Sequence, residues 1–199
     1  MISGNSLGRR LAALATVLVM LVAAPALAAD GWGLERLMAV LAEVKSSEAR
    51  FIQRDTVSLL TEPVETSGTL SYTRPDMVEK RTLQPREESL RVDGDRLTLT
   101  QADGVTRSVG LSAMPEIEAY VESIRATLRG DLSTLKRFYN VALEGEAAGW
   151  RLQLAPLGQS VREMVRLIVI SGRDGAIGEV DIYQTDGDQS SMTILPGPA

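Results

Sequence analysis

The chain has 199 residues, with 21 Lys and Arg against 26 Asp and Glu, a formal charge of −5, no Cys and no His. Lacking both residue types, it has no thiolate, no disulfide and no imidazole, which removes the commonest general base and the commonest transition-metal ligands. The acidic balance argues against nucleic acid or an anionic membrane surface as the main partner, because both reward clustered Lys and Arg.

An Arg9-Arg10 pair precedes an apolar run over residues 11–22, and Ala26-Leu27-Ala28 follows as a small-x-small cleavage pattern. This predicts a secretory signal peptide over residues 1–28, with an apolar core too short to span a membrane. With no Cys near the cut, no lipid is attached there. The remaining stretch, 29–199, is expected to be a single domain long enough to bury a sizeable core. Loss of the two arginines takes its formal charge from −5 to −7.

Leu34, Leu37, Met38, Leu41 and Val44 keep the three-and-four spacing of one helix face, which predicts a helix over residues 33–45. The period then changes. Phe51 and Val57 bracket an alternating stretch that suggests a strand, and residues 67–109 read as strand and turn throughout. Leu90 and Val92, then Leu97 and Leu99, fall on one side of two strands joined by Asp93-Gly94-Asp95, and Asp103-Gly104 makes a second tight turn. Met114, Ile117, Val121, Ile124 and Leu128 restore the helical spacing, with Pro115 suited to a first turn, so an amphipathic helix is predicted over 115–129. Asp131 is placed to cap a shorter helix over 132–136. Strands follow at 138–144, 150–155, 164–171, 177–184 and 190–195, with turns at 172–175 and at Asp186-Gly187-Asp188. No internal repeat, low-complexity run or interdomain linker interrupts them.

The expected fold is mostly β with α: an open, half-closed antiparallel β-barrel of about ten to eleven strands, with helices capping the concave face. A sheet of that size must curl or close to manage its edges. An amphipathic helix midway along the chain buries its stripe by lying across the hollow.

Several motifs invite a chemical reading and fail it. The two Asp-Gly-Asp turns lack the further acidic ligands of a twelve-residue calcium loop. Gly158-Gln159-Ser160-Val161-Arg162 lacks the second glycine of a nucleophile elbow, and without His no triad forms. Glu87-Glu88 reads as a solvated acidic patch with no carboxylate placed opposite it. At Arg74-Pro75, the proline marks a strand end and holds Arg74 extended, leaving its guanidinium either in solvent or aimed at helix C-terminal carbonyls.

Residues 66–99 read Thr66-Ser67-Gly68-Thr69-Leu70-Ser71-Tyr72-Thr73-Arg74-Pro75-Asp76-Met77-Val78-Glu79-Lys80, a short insertion, then Gln84-Pro85-Arg86-Glu87-Glu88-Ser89-Leu90-Arg91-Val92-Asp93-Gly94-Asp95-Arg96-Leu97-Thr98-Leu99. This segment resembles the signature of the LolA family of periplasmic lipoprotein carriers: a strand like Ser67 to Leu70 running into an Arg-Pro pair, and a later Asp-Gly-Asp hairpin. The order of elements is similar over nearly all of 29–199. The resemblance implies a non-enzymatic monomer, without cofactor, in the periplasm of a Gram-negative bacterium. It would shield the acyl chains of a lipidated cargo in an apolar hollow and carry it from an inner-membrane exporter to an outer-membrane acceptor, with Arg74 tying the barrel to its lid. The walls would be Leu70, Leu90, Val92, Leu97, Leu99, Leu152, Leu154, Leu167 and Val169, with the stripe Ile117, Val121 and Ile124 above them. Met77, Met114 and Met164 would add side chains that repack around variable cargo. Met77-Val78-Glu79-Lys80 stands where carriers often place an aromatic pair, and the chain stops at Ala199 where carriers often continue. A glycolipid, a polyene or another envelope lipid therefore fits as cargo as well as a lipoprotein does. The alternative reading is a periplasmic regulatory module of the same fold that senses a lipid or a partner.

Overall fold

The structure is a computed structural model and describes residues 31–197. The expected signal peptide lies outside the described residues. The chain runs α1 (Leu34–Leu41), β1 (Ser46–Thr56), β2 (Val64–Thr73), β3 (Met77–Gln84), β4 (Glu88–Asp93), β5 (Arg96–Thr100) and β6 (Thr106–Gly110). A single 3-10 turn (Leu111–Ala113) leads into α2 (Pro115–Arg129) and α3 (Leu132–Phe138). After these come β7 (Tyr139–Glu146), β8 (Gly149–Pro156), α4 (Gln159–Arg162), β9 (Val165–Arg173), β10 (Ala176–Gln184) and β11 (Gln189–Pro196).

Eleven strands form one antiparallel sheet in the order β6-β5-β4-β3-β2-β1-β11-β10-β9-β8-β7. It consists of two meanders joined where β1 pairs with β11, from Ala49 opposite Pro196 to Thr56 opposite Gln189. The sheet does not close: β6 and β7 are its free edges. Those edge strands flank residues 111–138 in sequence, so this segment has to travel from one edge to the other. It does so as helices, and their apolar sides cover one sheet face.

The hairpins turn where glycine supplies the left-handed backbone, as at Gly94 with φ 57 and Gly187 with φ 95. The paired leucines fall as their alternation demands, Leu90 opposite Leu99 and Val92 opposite Leu97. α2 spans the residues its spacing predicts. α1 is shorter than expected: the N–H groups of Glu43 and Val44 bond the carbonyls of Val40 and Leu41, a three-residue tightening that ends the helix at Leu41. β1 starts five residues before Phe51, because pairing with β2 on one side and β11 on the other holds the polar segment 46–50 extended. The four-residue α4 rests on one buried residue, Val161, and has no period to read.

Two apolar clusters form the interior. The larger packs Leu37, Met38 and Leu41 of α1, Ala126 of α2 and Leu135 of α3 onto Tyr139, Trp150, Leu152, Leu154, Ile168 and Ile170 of β7–β9. The smaller joins Val92, Leu111 and Val121, with Val78, Leu97 and Ile117 against them. α2 thus touches both halves of the sheet.

Candidate functional site

Arg74 closes the β2 strand and reaches across to the helices. Its Nε donates to the carbonyl of Val44 at 2.9 Å, and its Nη2 donates to the carbonyls of Ala42 and, at 3.1 Å, Arg129. Ala42 caps α1 and Arg129 ends α2, so one guanidinium serves the C-terminal ends of both helices. Those ends carry unpaired carbonyls and the negative end of each helix dipole, which a planar cation with five donors satisfies better than water or Lys would. Pro75 fixes the strand end from which it reaches. Gly130 permits the approach: at φ 68 it caps α2, and a Cβ there would stand 2.0 Å from the Met38 carbonyl oxygen of α1.

An ion cluster lies beside this clamp. Asp76 accepts from Arg125 at 2.9 Å and from Arg129 at 2.7 Å, and Glu122 pairs with the same two at 3.1 and 3.0 Å. Arg125 also donates to the Gly94 carbonyl at 3.0 Å, which pins α2 to the β4–β5 hairpin. Burial works against the Asp76 carboxylate, but Arg125 and then Arg129 outweigh it and hold its pKa below the ordinary 3.8. Farther along α2, the Tyr139 hydroxyl of β7 donates to the Ala119 carbonyl at 2.9 Å. Asp131 caps α3 through Thr134 and Ser133, whose hydrogen bonds lower its pKa to about 2.

The register sorts the expected wall residues. Leu70, Leu90, Val92, Leu97 and Leu99 share the helix-covered face with Phe51, and Leu152 and Leu154 lie on the same face in the other half. Ile117 and Val121 pack over Val78, Val92 and Leu97. Ile124 is half-buried, and Met114 sits at the start of α2. Met77 pairs with Thr73 and so falls on the opposite face from Val78. Leu167 and Val169 also alternate to the opposite face, where they line a shallow depression of about 280 Å³ with Glu144, Arg151, Arg166 and Tyr183. Met164 precedes β9 and is exposed. These four do not join the covered face: strand parity turns Met77, Leu167 and Val169 away from it, and Met164 lies exposed ahead of β9.

The apolar hollow expected beneath α2 is filled by the protein's own side chains, Ile117 and Val121 lying against the sheet. A second depression, about 350 Å³, is polar and is lined by Asp93, Asp95, Arg96, Ser108, Val109 and Gly110 at the β6 edge. The same sheet face also carries residues that the sequence did not mark. Phe51 and Tyr72 are buried, and Lys80, on the same face, donates to Gln53 Oε1 at 2.6 Å.

The domain is one open antiparallel sheet with helices clamped at their ends across one of its faces. The model of the outer membrane lipoprotein carrier protein LolA-like family matches residues 23–199, and the chain belongs to that family. No curated protein matches the chain. Among solved structures it is similar to a LolA superfamily protein from Nitrosomonas europaea, at 12% identity over 83% of this chain and 92% of that one, with a TM-score of 0.42. It is also similar to a putative outer membrane lipoprotein-sorting protein domain from Vibrio parahaemolyticus (8% identity, 82% and 89% covered, TM-score 0.44). A third is a MucA/MucB complex from Pseudomonas aeruginosa (12% identity, 83% and 58% covered, TM-score 0.42). Among the described residues no helix is long and apolar enough to cross a membrane.

Proposed function

We propose that the protein is a periplasmic carrier: it binds the acyl chains of a lipoprotein or another envelope lipid between the sheet and its helical cover, and passes them from an inner-membrane exporter toward an outer-membrane acceptor. It works as a monomer and does no covalent chemistry. Family membership supports a carrier-type binding domain, and one observation carries the mechanism: a single side chain, Arg74, fastens the ends of both covering helices. A cover whose C-terminal end is gathered on one side chain, with an ion cluster beside it, can lift at its other end without unfolding the sheet.

The energies allow such an exchange. Separating Ile117 and Val121 from Val78, Val92 and Leu97 exposes five apolar side chains, at roughly 1.5–3 kcal/mol each and so about 8–15 kcal/mol as an upper bound. An acyl chain of sixteen carbons recovers ~0.8 kcal/mol per methylene, or about 12 kcal/mol. Cargo therefore takes the place of the helix stripe on the sheet, and the empty protein is closed by its own α2. Transfer then follows differences in affinity along the route, with no nucleotide site required.

The test is extraction of the protein, purified from its native envelope, with organic solvent followed by mass spectrometry. A carrier yields lipid in an amount comparable to protein; a clean blank removes the reading.

A further inference from the structure

The covered face is not uniformly apolar. Lys80 crosses it: its ammonium stands 4.9 Å from the centre of the Phe51 ring and donates to Gln53 Oε1 at 2.6 Å. Gln53 Nε2 in turn donates to both oxygens of Asp55, at 2.8 and 3.0 Å. Lys80 is paired with Leu70, whereas Phe51 is paired with Gly68, so the side chain leans diagonally across a position that has no side chain to block it. Thr66 lies directly opposite Gln53, and its hydroxyl is buried without a partner. Burial, and then the Asp55 carboxylate, push the phenol of Tyr120 on α2 up to about 12.

The hydrogen-bond inventory is unfinished. Of three ammonium protons, one goes to Gln53 and one side faces the Phe51 ring, which leaves a donor free. Asp55 keeps unused lone pairs, and the Thr66 hydroxyl can donate and accept. The cation, by contrast, is already more than matched: burial lowers the Lys80 pKa, and two nearby carboxylates, Asp55 and Glu88, oppose that. A further anion placed here would face two carboxylates with one cation between them. A neutral group with one acceptor and one donor would meet complementary partners on both sides.

We propose that Lys80, Gln53, Asp55 and Thr66 form a polar subsite on the covered face that binds the uncharged junction of an acylated ligand. An ester or amide carbonyl would accept from Lys80, and a hydroxyl or N–H would engage Asp55 and Thr66. The acyl chain would run beside Leu70 and Leu90, the neighbours of Lys80 in its cross-strand row. This subsite rests on the carrier reading and selects within it: a fatty-acid anion is a poorer ligand than an acylglycerol or acyl amide of equal chain length.

The experiment measures displacement of the neutral apolar dye N-phenyl-1-naphthylamine from the full chain by dodecanoate and by monododecanoylglycerol, below their micelle concentrations. The acylglycerol should displace dye at a concentration about tenfold lower, and Thr66→Val and Gln53→Leu should each remove most of that preference. Thr66→Val deletes only an unpartnered hydroxyl and keeps the side-chain shape, so its urea midpoint should hold even if Gln53→Leu is unstable. Equal displacement by both ligands, tighter binding of dodecanoate, or an unchanged preference in Thr66→Val would overturn the subsite while leaving the carrier intact. Failure of the wild-type chain to take up dye at all would sink the carrier reading, and the subsite with it.

Discussion

Replacing Arg74 by Leu should loosen the helical cover without unfolding the sheet. The guanidinium makes three hydrogen bonds to helix-end carbonyls, two at the end of α1 and one at the end of α2. Hydrogen bonds to a charged group are worth up to ~3 kcal/mol each, but at this half-buried site the freed carbonyls regain water, so ~1 kcal/mol apiece and about 3 kcal/mol in all is the reasonable loss. That raises the population in which the helix ends are detached by roughly a hundredfold. Hydrogen exchange followed by mass spectrometry reads this directly. Amides of Leu37–Leu41 and of the last turn of α2 should exchange roughly a hundredfold faster in Arg74→Leu, while those of β8 and β9 change much less. Arg74→Lys should recover under half of the protection, because an ammonium keeps the charge near the two dipoles but cannot fork between carbonyls on separate helices. If helix ends and central strands accelerate together, the side chain supports the whole fold and is no clamp.

Four further outcomes follow from the same geometry. Gly130→Ala should cost about 2–3 kcal/mol in a urea titration, because its backbone is left-handed and its Cβ would meet the Met38 carbonyl oxygen at 2.0 Å; an unshifted midpoint would mean that α1 and α2 do not approach there. Asp131→Ala should cost ~1 kcal/mol through loss of the α3 cap, seen as faster exchange at Thr134. The Asp76 pKa is lowered below its ordinary 3.8, so its contribution to the clamp is complete above that value and is lost as pH falls through the lower folded-state pKa. Protection of the α2 end should therefore be flat from neutral pH to about pH 4 and decline below it; a decline near pH 6 would point to another group. Val121→Asp places a carboxylate against Val92 and Leu111 and should cost about 3 kcal/mol and abolish uptake of a fluorescent fatty probe, whereas retained uptake would move Val121 off the ligand face.

What could be read from the chain, and what could not, divides along the range of the interactions. The β4–β5 hairpin was legible because Leu90, Val92, Leu97 and Leu99 alternate around a turn with its own glycine, and α2 because its stripe runs four turns. Arg74 was legible only through Pro75, which marks the strand end; the helix ends it serves lie 30 and 55 residues away. Strand parity was the weak point. Met77 and Leu167 each stand one residue from a position on the covered face, and an apolar side chain at either parity reads the same without knowing its partner strand. Nothing local in the sequence sets Lys80, Gln53 and Asp55 apart from other strand polars. Their grouping depends on β1, β2 and β3 lying side by side, and it brings together residues 27 apart in sequence. Arg125 and Arg129 lie off the apolar stripe of α2, yet the Arg125 side chain is only 6% exposed because Asp76 and the Gly94 carbonyl reach it from two different turns.

The two clusters under α2 are unequal, and under the carrier reading that inequality sets the direction of opening. Ala126 belongs to a cluster with Leu37, Leu41, Leu135, Tyr139, Trp150, Leu152, Leu154, Ile168 and Ile170, each at most 2% exposed. Ile117 and Val121 belong to a smaller one, with Val78, Val92, Leu97 and Leu111. The C-terminal end of α2 thus stands in the larger cluster, and Arg74 and the ion cluster add to its hold. The Tyr139 hydroxyl bond to Ala119 sits between the two regions. The helix therefore lifts first from β3–β5 and pivots about its packed end. That motion uncovers Val78, Val92 and Leu97 in one cross-strand row, beside the row of Leu70, Lys80, Leu90 and Leu99, of which Leu90 is already exposed. An arriving chain meets an apolar track bordered on one side by a polar group with donors and acceptors to spare, which gives the ligand an orientation as well as a place. A uniformly apolar hollow would supply the place alone.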